Sequence, residues 1–341
     1  MDEPARAAAA QTPDPALRRV LREAGDPALA DKLAGLSGTA LTTLLLDVLR
    51  RQADRLTPAD VMRRYGSDRF VAPASLGFAP LRRAEDAMLA ALPAGFEVLT
   101  LAPVLPFGAH SAVATVDPRN VVATVRGSEV AADPTNGLAL EAAARRRQAL
   151  RADPRSSAVV RLAAIQRVTR AQRFTGPVSF AHFGLLGLVT AGRDTGGHAF
   201  ERASIAEHLR FAADGLARLG AARVRLELTR LDDAMPDVTA AVAAAVAGAA
   251  LAGAALAGAA LAGAALAGAG GVEVADAPGR RSGRGYYTGL CFKVQADFGA
   301  GELEVGDGGF VDWTGKLLGN RKERLLISGY GIERIAATSG A

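Results

Sequence analysis

One cysteine, Cys291, serves the whole 341-residue chain, so an internal disulfide is excluded. Its setting, Leu290-Cys291-Phe292-Lys293-Val294, alternates like a strand, and a small buried side chain is the plain reading. The four histidines are scattered, and with a single thiol they offer no zinc spacing. Aromatic residues make up only 5% of the chain and the net charge is only +5. No dense Lys/Arg stripe with interleaved aromatics is present, so composition does not argue for a nucleic-acid surface. Runs such as Arg145-Arg146-Arg147 read as solvated helix faces. The N-terminus is rich in Ala, Pro and charge and has no apolar stretch of the signal-peptide kind. A cytoplasmic protein with no membrane partner is the expectation.

The length is enough for a full core, and the pattern reads as one large domain with an appendage. Residues 1–15 read as a disordered tail and 16–74 as a helical appendage, with packing or dimerisation as its plain role. Thr39 is placed to cap a helix with Leu41, Leu44, Leu45, Val48 and Leu49 on one broad face. Thr57-Pro58-Ala59-Asp60 is a second helix start, with a capping hydroxyl, a proline in the first turn and an acid three residues on. Residues 75–337 form the core. Helices are expected over Asp86–Leu92, Asn136–Arg147 and Ser204–Leu219. Strands are expected over Phe96–Leu101, Val159–Arg167, Val178–Val189, Tyr286–Gln295 and Glu302–Val305. Strands in runs with helices beside them predict an α+β antiparallel sheet rather than a doubly wound fold.

The core is interrupted at 238–270, where Val246, Leu251, Leu256, Leu261 and Leu266 recur every five residues with glycines at the same interval. Five residues turn about 500° on an α-helix, so these side chains spiral and form no stripe. The stretch is long and uncharged enough for a membrane span, but a single span would put segments needed in one site on opposite sides of a bilayer. A pentapeptide solenoid would scarcely complete one coil. The reading is an Ala/Gly expansion in a tolerant connection, helical over some of its length and without chemistry.

The chain's end carries the most informative pattern, Ser328-Gly329-Tyr330-Gly331-Ile332-Glu333-Arg334. A strand-like run passes through glycines into a helix that begins with an arginine. Glycines admit a flat nucleotide close to the backbone, and an arginine there can hold a phosphate. Five upstream segments precede it in order: 95–103 (Gly-Phe-Glu-Val-Leu-Thr-Leu-Ala-Pro), 129–140 around Asp133-Pro134-Thr135, 159–170 around Arg167, 181–187 around His182, and 284–289 (Arg-Gly-Tyr-Tyr-Thr-Gly). The run Gly308-Gly309-Phe310-Val311-Asp312 completes the series. In this order the segments resemble the class II aminoacyl-tRNA synthetases, and most closely the catalytic core of histidyl-tRNA synthetase.

The resemblance implies an antiparallel sheet flanked by helices and a homodimer built through residues 95–103. It implies that Asp133 and Thr135 receive an amino group, although Thr135 or Asn136 as a helix cap is an equally plain reading. Arg167 would grip the α-phosphate of ATP, helped by Arg170 and Arg173, because such chemistry needs a fixed cation. Gly331 and Arg334 would hold the far end of ATP, with Mg2+ carried by the nucleotide rather than by a dedicated protein site. Tyr286 and Tyr287 offer a ring face and a hydroxyl to a planar amino acid. Arg281 and Arg284 compete for the arginine upstream of that pair. The family's acid two residues after the motif arginine is Thr169 here. Its side-chain reading pair falls on His182 and Leu186, and a later Arg-Tyr pair has become Phe310-Val311.

Two functions follow from the resemblance. One is a stand-alone paralogue that binds ATP and an amino acid and forms an aminoacyl-adenylate, with Arg167 and Arg334 as the catalytic pair. The other is a non-catalytic, histidine-sensing regulatory subunit that works with a short-form ATP phosphoribosyltransferase catalytic subunit. A third and plainer one is a scaffold that only dimerises. tRNA charging is not expected, since basic residues are dispersed and no anticodon-reading domain follows the last motif.

Overall fold

The computed structural model describes residues 14–172, 180–235, 237–246 and 271–340. The chain divides into two compact units, one made of residues 1–63 with 125–127, the other of residues 64–124 with 128–341. Four helices open the chain: α1 (Pro15–Glu23), α2 (Leu29–Ala34), α3 (Gly38–Ala53) and α4 (Pro58–Ser67). The cap of α3 is Ser37, whose Oγ accepts the Ala40 N–H at 3.2 Å, and not Thr39, which lies inside the first turn. At α4 the expected box forms: Thr57 Oγ1 accepts the Asp60 N–H, and Asp60 Oδ2 accepts the Thr57 N–H at 2.9 Å.

The second unit is a mostly antiparallel sheet of eight strands with helices on both faces. After α5 (Phe78–Leu89) come β1 (Glu97–Val98), β2 (Val104–Pro106), β3 (Ser128–Val130), α6 (Pro134–Ala152), β4 (Val160–Thr169), β5 (His182–Arg193), α7 (Ala199–Arg218) and β6 (Arg223–Arg230). They are followed by β7 (Gly271–Asp276), β8 (Thr288–Asp297), β9 (Glu302–Val311), α8 (Trp313–Leu318), β10 (Glu323–Gly331) and α9 (Ile332–Thr338). The strand order is β1-β4-β5-β10-β9-β8-β6-β7, and β2 pairs separately with β3. Only the edge pairs β1–β4 and β6–β7 are parallel. The α+β antiparallel sheet expected from the sequence is the observed one.

Alternation along β10 shows how the two faces are served. Leu326 and Tyr330 join a core with Leu209 of α7 and Ile332 of α9, while Leu325 and Ile327 join one with Leu138 of α6 and Trp313 of α8. Val238, Val242 and Val246 are buried in the first of these cores, the last two on a helix at 239–246. The five-residue repeat beyond them lies outside the described residues. Cys291 is buried on β8.

The arginine run of α6 departs from its sequence reading. Arg146 is wholly buried and bidentate on Glu323 at the start of β10: Nε to Oε2 is 2.7 Å and Nη2 to Oε1 is 2.9 Å. Its remaining donors meet the carbonyls of Ala158 and Ser156 at 2.6 and 2.9 Å. Arg145 instead pairs with Glu97 and Glu141 near the surface. Three adjacent arginines on a helix point in three directions about 100° apart, so one of them meets the sheet.

A second buried polar group, His208 of α7, lies between Thr190 Oγ1 and Ser328 Oγ, each 2.9 Å from a ring nitrogen. Burial, with help from Arg161, pushes its pKa from the usual 6.5 down to about 3.

Glu323→Ala strands a buried guanidinium and is expected to cost about 3–5 kcal/mol, whereas the paired exchange Arg146→Met with Glu323→Leu should cost far less. Urea denaturation of the three proteins decides it, and equal losses in both variants would refute the account. For His208 the unfolded chain binds the extra proton between pH 6.5 and 3 while the folded chain does not. Its contribution is therefore intact above pH 6.5 and declines at up to about 1.4 kcal/mol per pH unit as the medium is acidified. Stability measured against pH should fall less steeply in His208→Gln; an unchanged slope would remove His208 as the cause.

Candidate functional site

Where α6 begins, over β5, β9 and β10, the second unit holds a cavity of about 310 Å³. A neighbouring cavity of about 380 Å³ shares six wall residues with it: Asp133, Arg170, Tyr286, Tyr287, Glu304 and Asp307. Of the residues singled out in the sequence, Asp133, Thr135, Arg170, Tyr286, Tyr287, Gly331 and Arg334 line the first cavity. Arg167, His182 and Arg284 do not; Arg173 lies outside the described residues.

The start of α6 delivers Asp133 and Thr135. Asp133 is the N-cap, its Oδ1 accepting the Thr135 N–H at 2.9 Å and the Thr135 hydroxyl at 2.7 Å. The cap is therefore the aspartate, and neither Thr135 nor Asn136. A Cβ on Gly187 of β5 would lie 2.8 Å from Pro134 Cγ, so only glycine there lets the helix start rest on the strand. Arg170 fastens the same turn from the end of β4: its Nε donates to the Ala132 carbonyl at 3.0 Å, and Nη2 lies 3.3 Å from Asp133 Oδ2. From behind, His110 Nε2 accepts the Ala132 N–H at 3.0 Å. This assigns the ring proton to Nδ1, which faces Glu129 Oε1 at 2.5 Å. Burial pushes the Glu129 carboxyl up, but the backbone N–H groups of His110 and Gly108 and the His110 ring outweigh it and hold it below its usual value.

The tyrosine pair enters on the turn before β8. The two rings meet edge to face at 4.9 Å, and Tyr286 meets Trp313 in the same way at 5.6 Å. The Tyr287 hydroxyl donates to Asp307 Oδ2 at 3.0 Å. Burial raises both phenols well above their ordinary range, with Asp133 adding to the effect at Tyr286 and Asp307 at Tyr287.

The arginine that accompanies this pair is neither of the two competing for the place. Arg280 is the buried one, with Nη2 3.3 Å from Asp307 Oδ2, Nη1 donating to the Phe292 carbonyl at 2.7 Å, and its guanidinium 5.6 Å over the Tyr287 ring. Arg284 turns away and donates to the Arg280 carbonyl at 3.0 Å, and Arg281 is exposed.

Arg167 stands beside the cavity, tied to its wall. Its Nη2 donates to Glu333 Oε1 at 2.7 Å and its Nη1 to His182 Nδ1 at 2.8 Å, while His182 Nε2 donates to the Ala72 carbonyl at 2.6 Å. Glu333 is buried and also accepts the Gly184 N–H at 2.6 Å. Arg334 donates to the Glu304 carbonyl at 3.1 Å.

Among the described residues the first cavity thus presents four carboxylates, Asp133, Glu304, Asp307 and Glu333, and two guanidiniums, Arg170 and Arg334. The cations paired with three of those acids are Lys293, Arg280 and Arg167. Arg280 and Lys293 line the neighbouring cavity rather than this one. Asn136 Nδ2, buried at the second cavity's wall, has no partner among the described residues. Glu304, Asp307, Arg280 and Glu333 were not singled out from the sequence. The signal for the first two was two acids, a rare residue type inside strands, set among the glycines of β9. Among the described residues no three of His, Cys, Asp or Glu gather as a metal site, and no helix is long and apolar enough to cross a membrane.

Compared with known proteins, the chain matches no family model and no curated sequence. Among solved structures it is similar to an ATP phosphoribosyltransferase regulatory subunit/histidyl-tRNA synthetase from Bacillus halodurans C, at TM-score 0.55 and 13% identity over 80% of this chain and 83% of that one. A histidine–tRNA ligase subunit from Alicyclobacillus acidocaldarius subsp. acidocaldarius DSM 446 aligns at TM-score 0.54 and 16% identity, covering 80% and 96%. The apo S. aureus histidyl-tRNA synthetase aligns at TM-score 0.50 and 14% identity, over 76% of this chain and 65% of that enzyme. At such identities the likeness is one of fold alone: a large, mostly antiparallel sheet flanked by helices, as in class II synthetase-like structures.

Proposed function

We propose that this chain binds a free amino acid in the cavity at the start of α6 without activating it, and serves as a regulatory protein. The observation that carries this reading is the state of Arg167. The cation suited to an α-phosphate is engaged by the buried Glu333 carboxylate, and among the described residues the cavity beside it shows more carboxylates than guanidiniums. The triphosphate of ATP calls for the opposite balance, so these residues as arranged do not fit it. An ammonium group does suit them. Asp133 and Thr135 face it from the helix start, and the tyrosine pair offers the ring faces and hydroxyl that a planar side chain uses.

The similarity to a protein titled as an ATP phosphoribosyltransferase regulatory subunit supports taking histidine as the first ligand to test. It likewise supports a catalytic subunit of that enzyme as the partner; that this subunit is of the short form and that the pair works in the cytoplasm belong to the proposal. The specific observation favouring amino-acid activation instead is that Arg170, Gly331 and Arg334 share the cavity with Asp133. A homodimer through residues 95–103 is supported by exposed Val98, Val104 and Phe107 close to a groove of about 500 Å³ lined by Leu99, Leu101, Leu105 and Leu140.

Calorimetry with the twenty amino acids, run beside amino-acid-dependent ATP–pyrophosphate exchange, tests the main reading. Binding of at least one amino acid with no exchange is expected; exchange with any of them would establish activation and displace the proposal. Gly329→Val supplies the control. A Cβ there meets nothing closer than Leu185 at 3.8 Å, and the backbone is an ordinary strand, so the variant should fold, fill the cavity and lose the ligand. Sedimentation equilibrium should give a dimer that Val98→Glu weakens, and a wild-type monomer at tens of micromolar would refute the interface.

A further inference from the structure

Resting on the amino-acid site above, we infer that Asp307 of β9 is the residue that reads the ligand's side chain, selecting one that ends in a protonated or N–H-donating nitrogen. The sequence segment expected to do this work, His182 with Leu186, is occupied elsewhere. Leu186 is fully buried in the core on the α7 side, and His182 is held between Arg167 and the Ala72 carbonyl outside the cavity. The reader must therefore come from another element.

Asp307 has the required features. It lines both cavities, and its side chain is 43% exposed although Tyr287 and Arg280 pack against it. Both of its partners, the Tyr287 hydroxyl and Arg280 Nη2, converge on Oδ2. Oδ1 accepts no hydrogen bond among the described residues. Oδ1 is thus open to the cavity, and a ligand that covers it without offering a donor strips its water at a cost that a ligand N–H avoids. The surroundings press in the same direction. Burial raises the Asp307 carboxyl against the pull of Arg280 and Tyr287, and Glu304 and Asp133 raise it further by repulsion. A cation set among these carboxylates relieves that repulsion.

Asp133 at one wall and Asp307 at another thus give two anionic anchors with the tyrosine pair nearby. An amino acid presents two matching groups only when its side chain also carries a nitrogen donor. Neutral aliphatic side chains leave Oδ1 unsatisfied and should be rejected, because a site built to accept a hydrogen bond discriminates strongly against a ligand that lacks the donor.

The test is calorimetric, with full-length protein and paired ligands of similar shape: histidine and lysine against 3-methylhistidine and norleucine. At least one basic amino acid should bind about tenfold or more tightly than its counterpart. Asp307→Asn should remove most of that preference by weakening the basic ligand, while the counterpart's affinity moves less than about threefold. Asp307→Glu should restore some of it, which separates reading of charge from loss of fold. Thermal unfolding of each variant accompanies the titrations. Wild-type protein that binds an amino acid without preferring the nitrogen-ended member would overturn this inference and leave the amino-acid site standing. Discrimination unchanged in Asp307→Asn would do the same. Wild-type protein that binds none of these four and none of the twenty amino acids titrated above, with Gly329→Val no different, would overturn both.

Discussion

The buried pair of Arg146 and Glu323 sets the geometry on which the rest of the second unit relies. It joins the middle of α6 to the first residue of β10 at a point closed to water. A charge placed there tolerates no sliding, because displacement by an ångström or two would leave a guanidinium without its carboxylate. α6 is thereby held in one position along the sheet. Its first turn, carrying Asp133 and Thr135, comes to rest on Gly187, the strand position that leaves room for Pro134. The cavity is therefore positioned from a site about three helical turns away.

Charge in the cavity is arranged in two tiers. Carboxylates of β9, α9 and the start of α6 form the near wall, and most of their cations approach from neighbouring strands and turns. Three of the acids thus have a cationic partner that does not itself line the cavity. The same device neutralises Arg167 through Glu333, whose second oxygen is bound to the backbone of β5. The described wall of the cavity is accordingly richer in carboxylates than in guanidiniums.

Much of this architecture was legible in the residues. Strands β4, β5, β8 and β9 and helices α6 and α7 overlap the spans read from the residues, though β9 continues to Val311, and the tyrosine pair and Arg334 line one cavity. What escaped detection has identifiable causes. Strand β6 alternates Val224, Leu226 and Leu228 with Arg223, Arg225 and Glu227. Its charged half masked a short strand that lies next to the edge of the sheet. The N-cap of α6 was read two or three residues too late, because Asp, Thr and Asn in Asp133-Pro134-Thr135-Asn136 all qualify as caps by type. The choice of Arg280 over its neighbours depends on how a glycine-rich turn rotates, which no spacing rule reports. The burial of Arg146 depends on an acid 177 positions away, a pairing invisible to any local window.

The lone thiol has a practical side. Cys291 sits in the core of the α6 face, and burial pushes it away from the reactive thiolate form. The native surface is consequently silent toward maleimides and disulfide reagents. A cysteine introduced at the rim of the cavity would be the only site such reagents find, so a fluorophore or spin label could be attached at one chosen position without first stripping the chain of its own sulfur.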